Sequence, residues 1–264
     1  MGFDAKQLEL IRKATRAPFG LAFVTGPTGS GKSTTLYAVL NEIKAPEKNI
    51  ITVEDPVEYK LDGINQVQVK PEIGLTFAST LRSFLRQDPD IMLVGEVRDL
   101  ETAQICVRSA LTGHLVLSTL HTNDAPSAIT RLIDIGIEPY LLSPSLLVVI
   151  AQRLIRKLCP DCKEAYEPDS QQEKAINLKA ELIYRAKGCN KCNQLGYRGR
   201  TAIAEVMYIN EQIRELVSQR AGFQKVRDSA KANGMQTLQE SALRKVEAGI
   251  TSLEEALSVT VGAE

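Results

Sequence analysis

The sequence predicts an α/β fold: a mostly parallel sheet covered on both faces by helices, with a small cysteine-bearing unit attached. Three observations carry this. Short apolar runs alternate with helical stretches over the first 157 residues. The run "GPTGSGKS" at 26–33 sits between an apolar run and a helical one. Two C-x-x-C pairs, "CPDC" at 159–162 and "CNKC" at 189–192, follow a change of pattern near residue 158.

The elements follow in order. Residues 4–16 read as a polar lead-in helix, and "GLAFVT" (20–25) as a short buried strand. A Gly-rich turn leads to a helix over 32–44. "NIITVE" (49–54) is a second strand and "GINQVQV" (63–69) a third, with clearer alternation. "FASTLRSFLRQ" (77–87) is helical, "DIMLVGE" (90–96) a buried strand, "LETAQICVRSALT" (100–112) a helix and "HLVLSTL" (114–120) a strand. Residues 124–135 and 138–156 both read as helices. The segment 163–188 reads as a loop with a helix over roughly 170–186. Beyond Ile209 the chain is helical, and "TSLEEAL" (251–257) opens with a capping box of Thr251 and Glu254. The expected division is an α/β core over 1–157, a four-cysteine unit over 158–200, and a strand with C-terminal helices over 201–264.

Composition narrows the function. Among 264 residues, 32 Lys and Arg balance 32 Asp and Glu, which weighs against a dedicated nucleic-acid binder. The most apolar stretch, "LLSPSLLVVIA" (141–151), is too short to span a membrane and is interrupted by Ser143, Pro144 and Ser145. The N-terminus shows no hydrophobic signal core, so a cytoplasmic protein is expected. In that reducing compartment the five cysteines become metal ligands or buried thiols rather than disulfides.

"GPTGSGKS" fits G-x-x-x-x-G-K-[ST] in full and lies between a predicted strand and a predicted helix, the context of a P-loop. Gly26, Pro27, Thr28, Gly29, Ser30, Gly31, Lys32, Ser33 and Thr34 form the expected phosphate cradle. Backbone N–H groups and the helix N-terminus supply partial positive charge. Lys32 would reach the β- and γ-phosphates of ATP, and Ser33 would ligate Mg²⁺. An ordinary Gly-rich turn does not account for both spacing and context.

Three further stretches carry candidates. "IMLVGEVRD" (91–99) runs four apolar residues toward Glu96, at the strand end that faces the ligand crevice in an open α/β sheet. "VEDPVEY" (53–59) gathers Glu54, Asp55 and Glu58, which fit either a base or metal site or a plain acidic turn before proline. Of the two histidines, His121 follows its strand and His114 begins it, so His121 is the better candidate for the ligand end.

The paired C-x-x-C knuckles, with 26 residues between Cys162 and Cys189, suit one tetrahedral Zn²⁺ held by Cys159, Cys162, Cys189 and Cys192. A redox role needs only one such pair, and four free thiols is the bland alternative. A closed Cys₄ site is structural. Cys106, inside a predicted helix, reads as a buried small side chain.

Together "VTGPTGSGKSTTLYAVL", "ITVEDPVEY", "LRQDPDIMLVGEVRDLETA" and "TGHLVLSTLHTNDA" resemble, in order, the Walker A, Asp box, Walker B and His box of the secretion superfamily ATPases, the motors of type II secretion and type IV pili. The resemblance implies a RecA-like P-loop NTPase that hydrolyses Mg-ATP. It implies Glu54 as the candidate catalytic carboxylate with Glu58 nearby, Glu96 as the Walker B acid with Arg98 as its ion-pair partner, and His121 as the γ-phosphate sensor. It also implies a homo-hexamer, protein partners on an inner-membrane platform, and membrane contact only through those partners. The four-cysteine element is typical of the secretion and pilus-assembly branches, whereas retraction motors generally lack it.

Family members carry a second domain upstream that closes over the nucleotide and supplies arginines, and this chain begins about 25 residues before the P-loop. It is therefore expected to be the C-terminal ATPase half, binding nucleotide but hydrolysing it weakly. The competing expectations are a RecA-like nucleic-acid motor, of helicase or conjugation type, and a non-catalytic nucleotide-binding assembly module.

Overall fold

Residues 2–168, 178 and 180–260 are described in the structure, a computed structural model. They divide into two units, one of Asp4–Ala151 and Val206–Met235, the other of Met1–Phe3, Gln152–Glu205 and Gln236–Glu264.

The first unit opens with α1 (Ala5–Thr15), capped by Asp4 and Gln7 acting reciprocally. Five strands follow: β1 (Gly20–Thr25), β2 (Ile50–Glu54), β3 (Asn65–Gln68), β4 (Ile91–Val94) and β5 (Leu115–Leu120). Between and after them run α2 (Lys32–Ile43), α3 (Phe77–Phe84), α4 (Leu100–Leu111), α5 (Ala125–Ile135) and α6 (Pro139–Ser145). With β6 (Leu146–Leu158) and β9 (Tyr197–Tyr208) the sheet order is β3-β2-β4-β5-β1-β6-β9. Residues 146–151 of β6 and 206–208 of β9 belong to this unit. Every pairing from β3 across to β6 is parallel.

Alternate strand positions explain the layers. Leu21, Phe23, Ile51, Val53, Met92 and Val94 join Leu81 and Phe84 of α3 and Ala103 and Val107 of α4 in one core. The intervening Ala22, Val24, Ile50, Leu93, Leu115 and Leu117 are buried too, so both faces are covered and the strands read as continuous apolar runs. The parallel sense places the C-terminal ends of β1, β2, β4 and β5 on one edge. The segments leaving that edge are 26–33, 55–58, 95–98 and 121–122. α7 (Glu211–Ser218) and α8 (Phe223–Ala232) complete the unit.

The second unit holds the remainder of β6 and β9, the antiparallel pair β7 (Glu164–Tyr166) and β8 (Ile183–Arg185), and the helices α9 (Leu238–Glu247) and α10 (Leu253–Thr260). Its core gathers Ile155, Ile183, Ile203, Leu238, Ala242, Val246, Leu253 and Ala256. The Arg156 guanidinium donates through Nε at 2.9 Å and Nη2 at 2.5 Å to Glu255 Oε2, while its Cζ lies 4.1 Å from the Tyr197 ring centroid. Glu255 is buried, whereas half the Arg156 side chain meets solvent. Arg156→Ala is expected to lower stability by about 2 kcal/mol, because it leaves a buried carboxylate with less compensation. A urea midpoint unchanged from the parent would contradict this.

Three sequence expectations need correction. The helix expected over 138–156 ends at Ser145, and Leu146–Leu158 is strand β6. Pro144 stands in the last turn of α6, and Leu146 with Val148–Ala151 pair with β1, buried on both faces. Such a run carries no two-residue alternation to distinguish it from a buried helix. Of the helix expected over roughly 170–186, residues 170–177 and 179 lie outside the described residues, and Ile183–Arg185 is strand β8. The cap before the last helix is Ser252 rather than Thr251. The Glu255 N–H donates to Ser252 Oγ at 3.2 Å, while Thr251 Oγ1 donates to Arg156 O at 2.8 Å. Among the described residues, no helix is long and apolar enough to cross a membrane.

Candidate functional site

The loop after β1 is built to expose backbone donors. Gly31, in the left-handed region at φ 88°, is the N-cap of α2 and offers no side-chain cap. By contrast Asp99 caps α4 and Asp124 caps α5 through their carboxylates. The first-turn N–H groups of α2 are thus left for a ligand, at the positive end of the helix dipole. Pro27, Thr28 and Gly29 are exposed, Ser30 is buried, Ser33 is half-buried and Thr34 is exposed. Lys32 Nζ donates to Gly26 O at 2.9 Å and Pro27 O at 3.1 Å, inside its own loop. Burial lowers the pKa of this lysine, and the charge of Glu96 opposes that shift.

Glu96, two residues beyond β4, is paired with Arg98 and lies 3.4 Å from His121 Nε2 through Oε2. Its side chain is 11% exposed, against 66% for Arg98 and 53% for His121. The Glu96 carboxylate, the nearby burial of Arg98 and the charge of Asp55 act on that guanidinium, and the two acids hold its pKa above the ordinary value. The ends of β1, β2, β4 and β5 therefore converge electrostatically. His121 is further held by a clasp between neighbouring strand ends. The Thr122 N–H donates to Thr25 Oγ1 at 2.8 Å, and the two threonine hydroxyls are 2.8 Å apart. Thr25 Oγ1 also lies 3.0 Å from Leu120 O. His114 lies at the other end of β5, its Nδ1 3.0 Å from Ser109 O, outside this cluster.

Glu54, the last residue of β2, differs in kind. It is only 4% exposed. Thr52 Oγ1 donates to Oε1 at 2.5 Å, Gln66 Nε2 donates to Oε1 at 3.2 Å, and the Tyr37 hydroxyl bonds Oε2. Burial, and then the adjacent Glu54, push the Tyr37 phenol far above its ordinary pKa, so it stays a donor. Glu58 is exposed, and its N–H donates to the same Tyr37 oxygen at 3.3 Å. Sequence reasoning missed Tyr37, Thr52, Gln66, Thr25 and Thr122. Thr52 was within reach, since it shares a strand face with Glu54 two residues on. The others meet their partners only through the fold.

In the second unit Cys159, Cys162, Cys189 and Cys192 place their four sulfurs within 4.8 Å of one another. Sγ separations are 4.0 Å for Cys159–Cys189, 3.8 Å for Cys162–Cys192 and 3.7 Å for Cys189–Cys192. Tetrahedral Zn–S bonds of about 2.3 Å imply sulfur separations of about 3.8 Å, so the thiols fit the ion. None is in a disulfide. Burial pushes the Cys162 thiol up to about 12. At Cys192 burial opposes the thiolate, but the N–H groups of Cys189 and Gly196, each 3.2 Å from Sγ, outweigh it and bring the pKa to about 7. Gly196 has φ 74°, and a Cβ there would fall 2.6 Å from the Ala186 Cβ, so the knuckle's closing turn requires glycine.

With this geometry in view, the chain matches the family model described as type II/IV secretion system protein over residues 1–258. It is 54% identical over 263 residues to the type II secretion system ATPase E of Vibrio cholerae, covering 98% of this chain and 52% of that protein. To the type IV pilus assembly ATPase PilB of Myxococcus xanthus it is 50% identical over 268 residues, covering 98% of this chain and 47% of that one. Among solved structures, that of the pilus retraction motor PilT with bound ADP aligns at a TM-score of 0.74 and 33% identity, over 98% of this chain and 65% of that chain. The chain spans about half the length of the curated relatives it matches.

Proposed function

The chain belongs to the type II/IV secretion system protein family, and from that premise we propose that it is the ATP-hydrolysing part of a motor that drives type II protein secretion or type IV pilus assembly. The observation that carries this is the convergence at one sheet edge of an uncapped P-loop helix, Lys32, and the Glu96–Arg98–His121 cluster. The zero net charge and the family match both weigh against a nucleic-acid motor.

In this reading the N–H groups of 26–33 and Lys32 bind the nucleotide phosphates, with Lys32 exchanging its loop carbonyls for phosphate oxygens. Ser33 and Glu96 offer the hard oxygen donors that Mg²⁺ takes, and the bound ion supplies charge neutralisation at the phosphates. Glu96 orients the attacking water, Arg98 sets the carboxylate's position, and His121 meets the terminal phosphate. The four cysteines hold Zn²⁺, which supplies structure and no chemistry at a closed site. The assembled motor is a homo-hexamer, recruited from the cytoplasm to protein partners at the inner membrane. The cysteine unit favours secretion or pilus extension over retraction.

Lys32→Ala in the full-length protein is expected to weaken Mg-ATP binding about hundredfold and to abolish turnover, as removal of a main phosphate donor requires. Titration with a fluorescent nucleotide, alongside phosphate release, checks this. Unaltered binding would overturn the assignment of the loop.

A further inference from the structure

Glu96 lies just beyond β4, where the backbone has left the regular strand. Its aim therefore depends on two soft torsions, φ and ψ, which set its Cα between two rigid peptide planes. Both planes are anchored, and one residue of β5 anchors them both. The Thr119 hydroxyl donates to Gly95 O at 2.6 Å, which holds the plane joining Gly95 to Glu96. The Val97 N–H donates to Thr119 O at 3.0 Å, which holds the plane joining Glu96 to Val97. From the other side, the Gly95 N–H donates to Val53 O of β2 at 2.8 Å.

Thr119 also stands two residues before His121, whose Nε2 lies 3.4 Å from Glu96 Oε2. The contacts close a ring: from Thr119 to Gly95, along the backbone to Glu96, across to His121, and back down the chain to Thr119. Thr119 is buried, so solvent offers its hydroxyl little competition. A Cβ at position 95 would fall 3.2 Å from Glu54 Cα and 3.3 Å from Val53 O, so glycine suits this close approach. Ser118 provides a contrast one residue earlier. Its hydroxyl donates to Val94 O at 2.7 Å, but Val94 is still within the paired strand, where the ladder already sets the backbone.

Resting on the proposed ATPase reading, we propose that Thr119 is a positioning residue for Glu96: its hydroxyl and its carbonyl bracket the acid and fix where the carboxylate points beside His121. Thr119 acts only through Glu96. Loss of the hydroxyl leaves Gly95 O without its donor, lets the first plane turn, and swings the carboxylate out of line. The phosphate cradle of 26–33 is not part of the bracket. The loss therefore falls on kcat and not on nucleotide affinity.

The test compares Thr119→Val, Thr119→Ser and Ser118→Ala in the full-length protein, with Thr119→Val also placed on Glu96→Gln. Single-turnover phosphate release, a nucleotide titration and amide hydrogen exchange at Val97 are measured. Thr119→Val is expected to lower kcat about tenfold with nucleotide affinity within about twofold. Thr119→Ser, which keeps the hydroxyl, should restore kcat to within about twofold of the parent, and Ser118→Ala should stay in that range too. On Glu96→Gln, Thr119→Val should change the rate less than about twofold, since the group it positions is already gone. Exchange at the Val97 amide should rise about tenfold in Thr119→Val and return in Thr119→Ser. Equal losses in Thr119→Val and Ser118→Ala would reduce Thr119 to an ordinary sheet contact and overturn the proposal. So would a full tenfold loss on Glu96→Gln, or no rescue by serine. If the parent shows no turnover, or Glu96→Gln matches it, the ATPase reading fails; an unchanged Val97 exchange rate in Thr119→Val then shows that the bracket fails as well. Should Thr119→Val not fold, Thr119→Ala, which removes the hydroxyl without adding bulk, carries the same comparison.

Discussion

Glu96→Gln in the full-length protein is expected to lower kcat for ATP about 10²–10³-fold while leaving nucleotide affinity within a few-fold. The substitution keeps the side chain's volume and one acceptor oxygen. It removes the charge that balances Arg98 and opposes the desolvation of Lys32. The phosphate cradle of 26–33 is untouched, so ground-state binding stays. What is lost is the negative charge next to the reacting water, which matters more in the transition state than before it. Single-turnover phosphate release and a nucleotide titration separate the two effects. A kcat within threefold of the parent would favour the remaining competitor, a nucleotide-binding assembly module without its own chemistry.

Zinc is the second large effect. Metal analysis should find one zinc per chain, and its removal by a chelator should destabilise the cysteine unit by several kcal/mol, because structural zinc binding is itself folding free energy. Cys192→Ser should behave alike, since Cys192 is buried and its sulfur already receives two backbone N–H donors suited to a thiolate. Scanning calorimetry with and without chelator reads the change. Zero zinc in protein purified without chelator, together with an unmoved transition, would leave four free thiols as the correct reading.

What could be read from the chain followed the range of the interactions involved. The loop 26–33 is contiguous, so its spacing and its place between a strand and a helix marked it in the sequence as the candidate phosphate cradle. The cysteine cluster was legible because two C-x-x-C pairs can offer four thiols to one tetrahedral ion whatever lies between them. The sheet followed from short apolar runs, until it reached Leu146–Ala151. There both faces are buried and periodicity vanishes, so a strand passed for a helix. The environment of Glu54 was invisible for another reason. Tyr37 is 17 positions away and Gln66 is 12. Nothing in a helical tyrosine or an edge-strand glutamine announces a carboxylate partner until the fold brings them together. The sequence thus showed which acids cluster, while burial separated the buried acceptor from the more open one.

The threonine clasp at the ends of β1 and β5 has a mechanical meaning. Thr25 stands immediately before the phosphate loop, and Thr122 immediately after His121. The two loops that would meet the phosphates from different sides are stitched together at their roots. On the proposed reading, a nucleotide would change the partners of the Lys32, Arg98 and His121 side chains, now held by the loop carbonyls and by Glu96, above strand ends that the clasp joins.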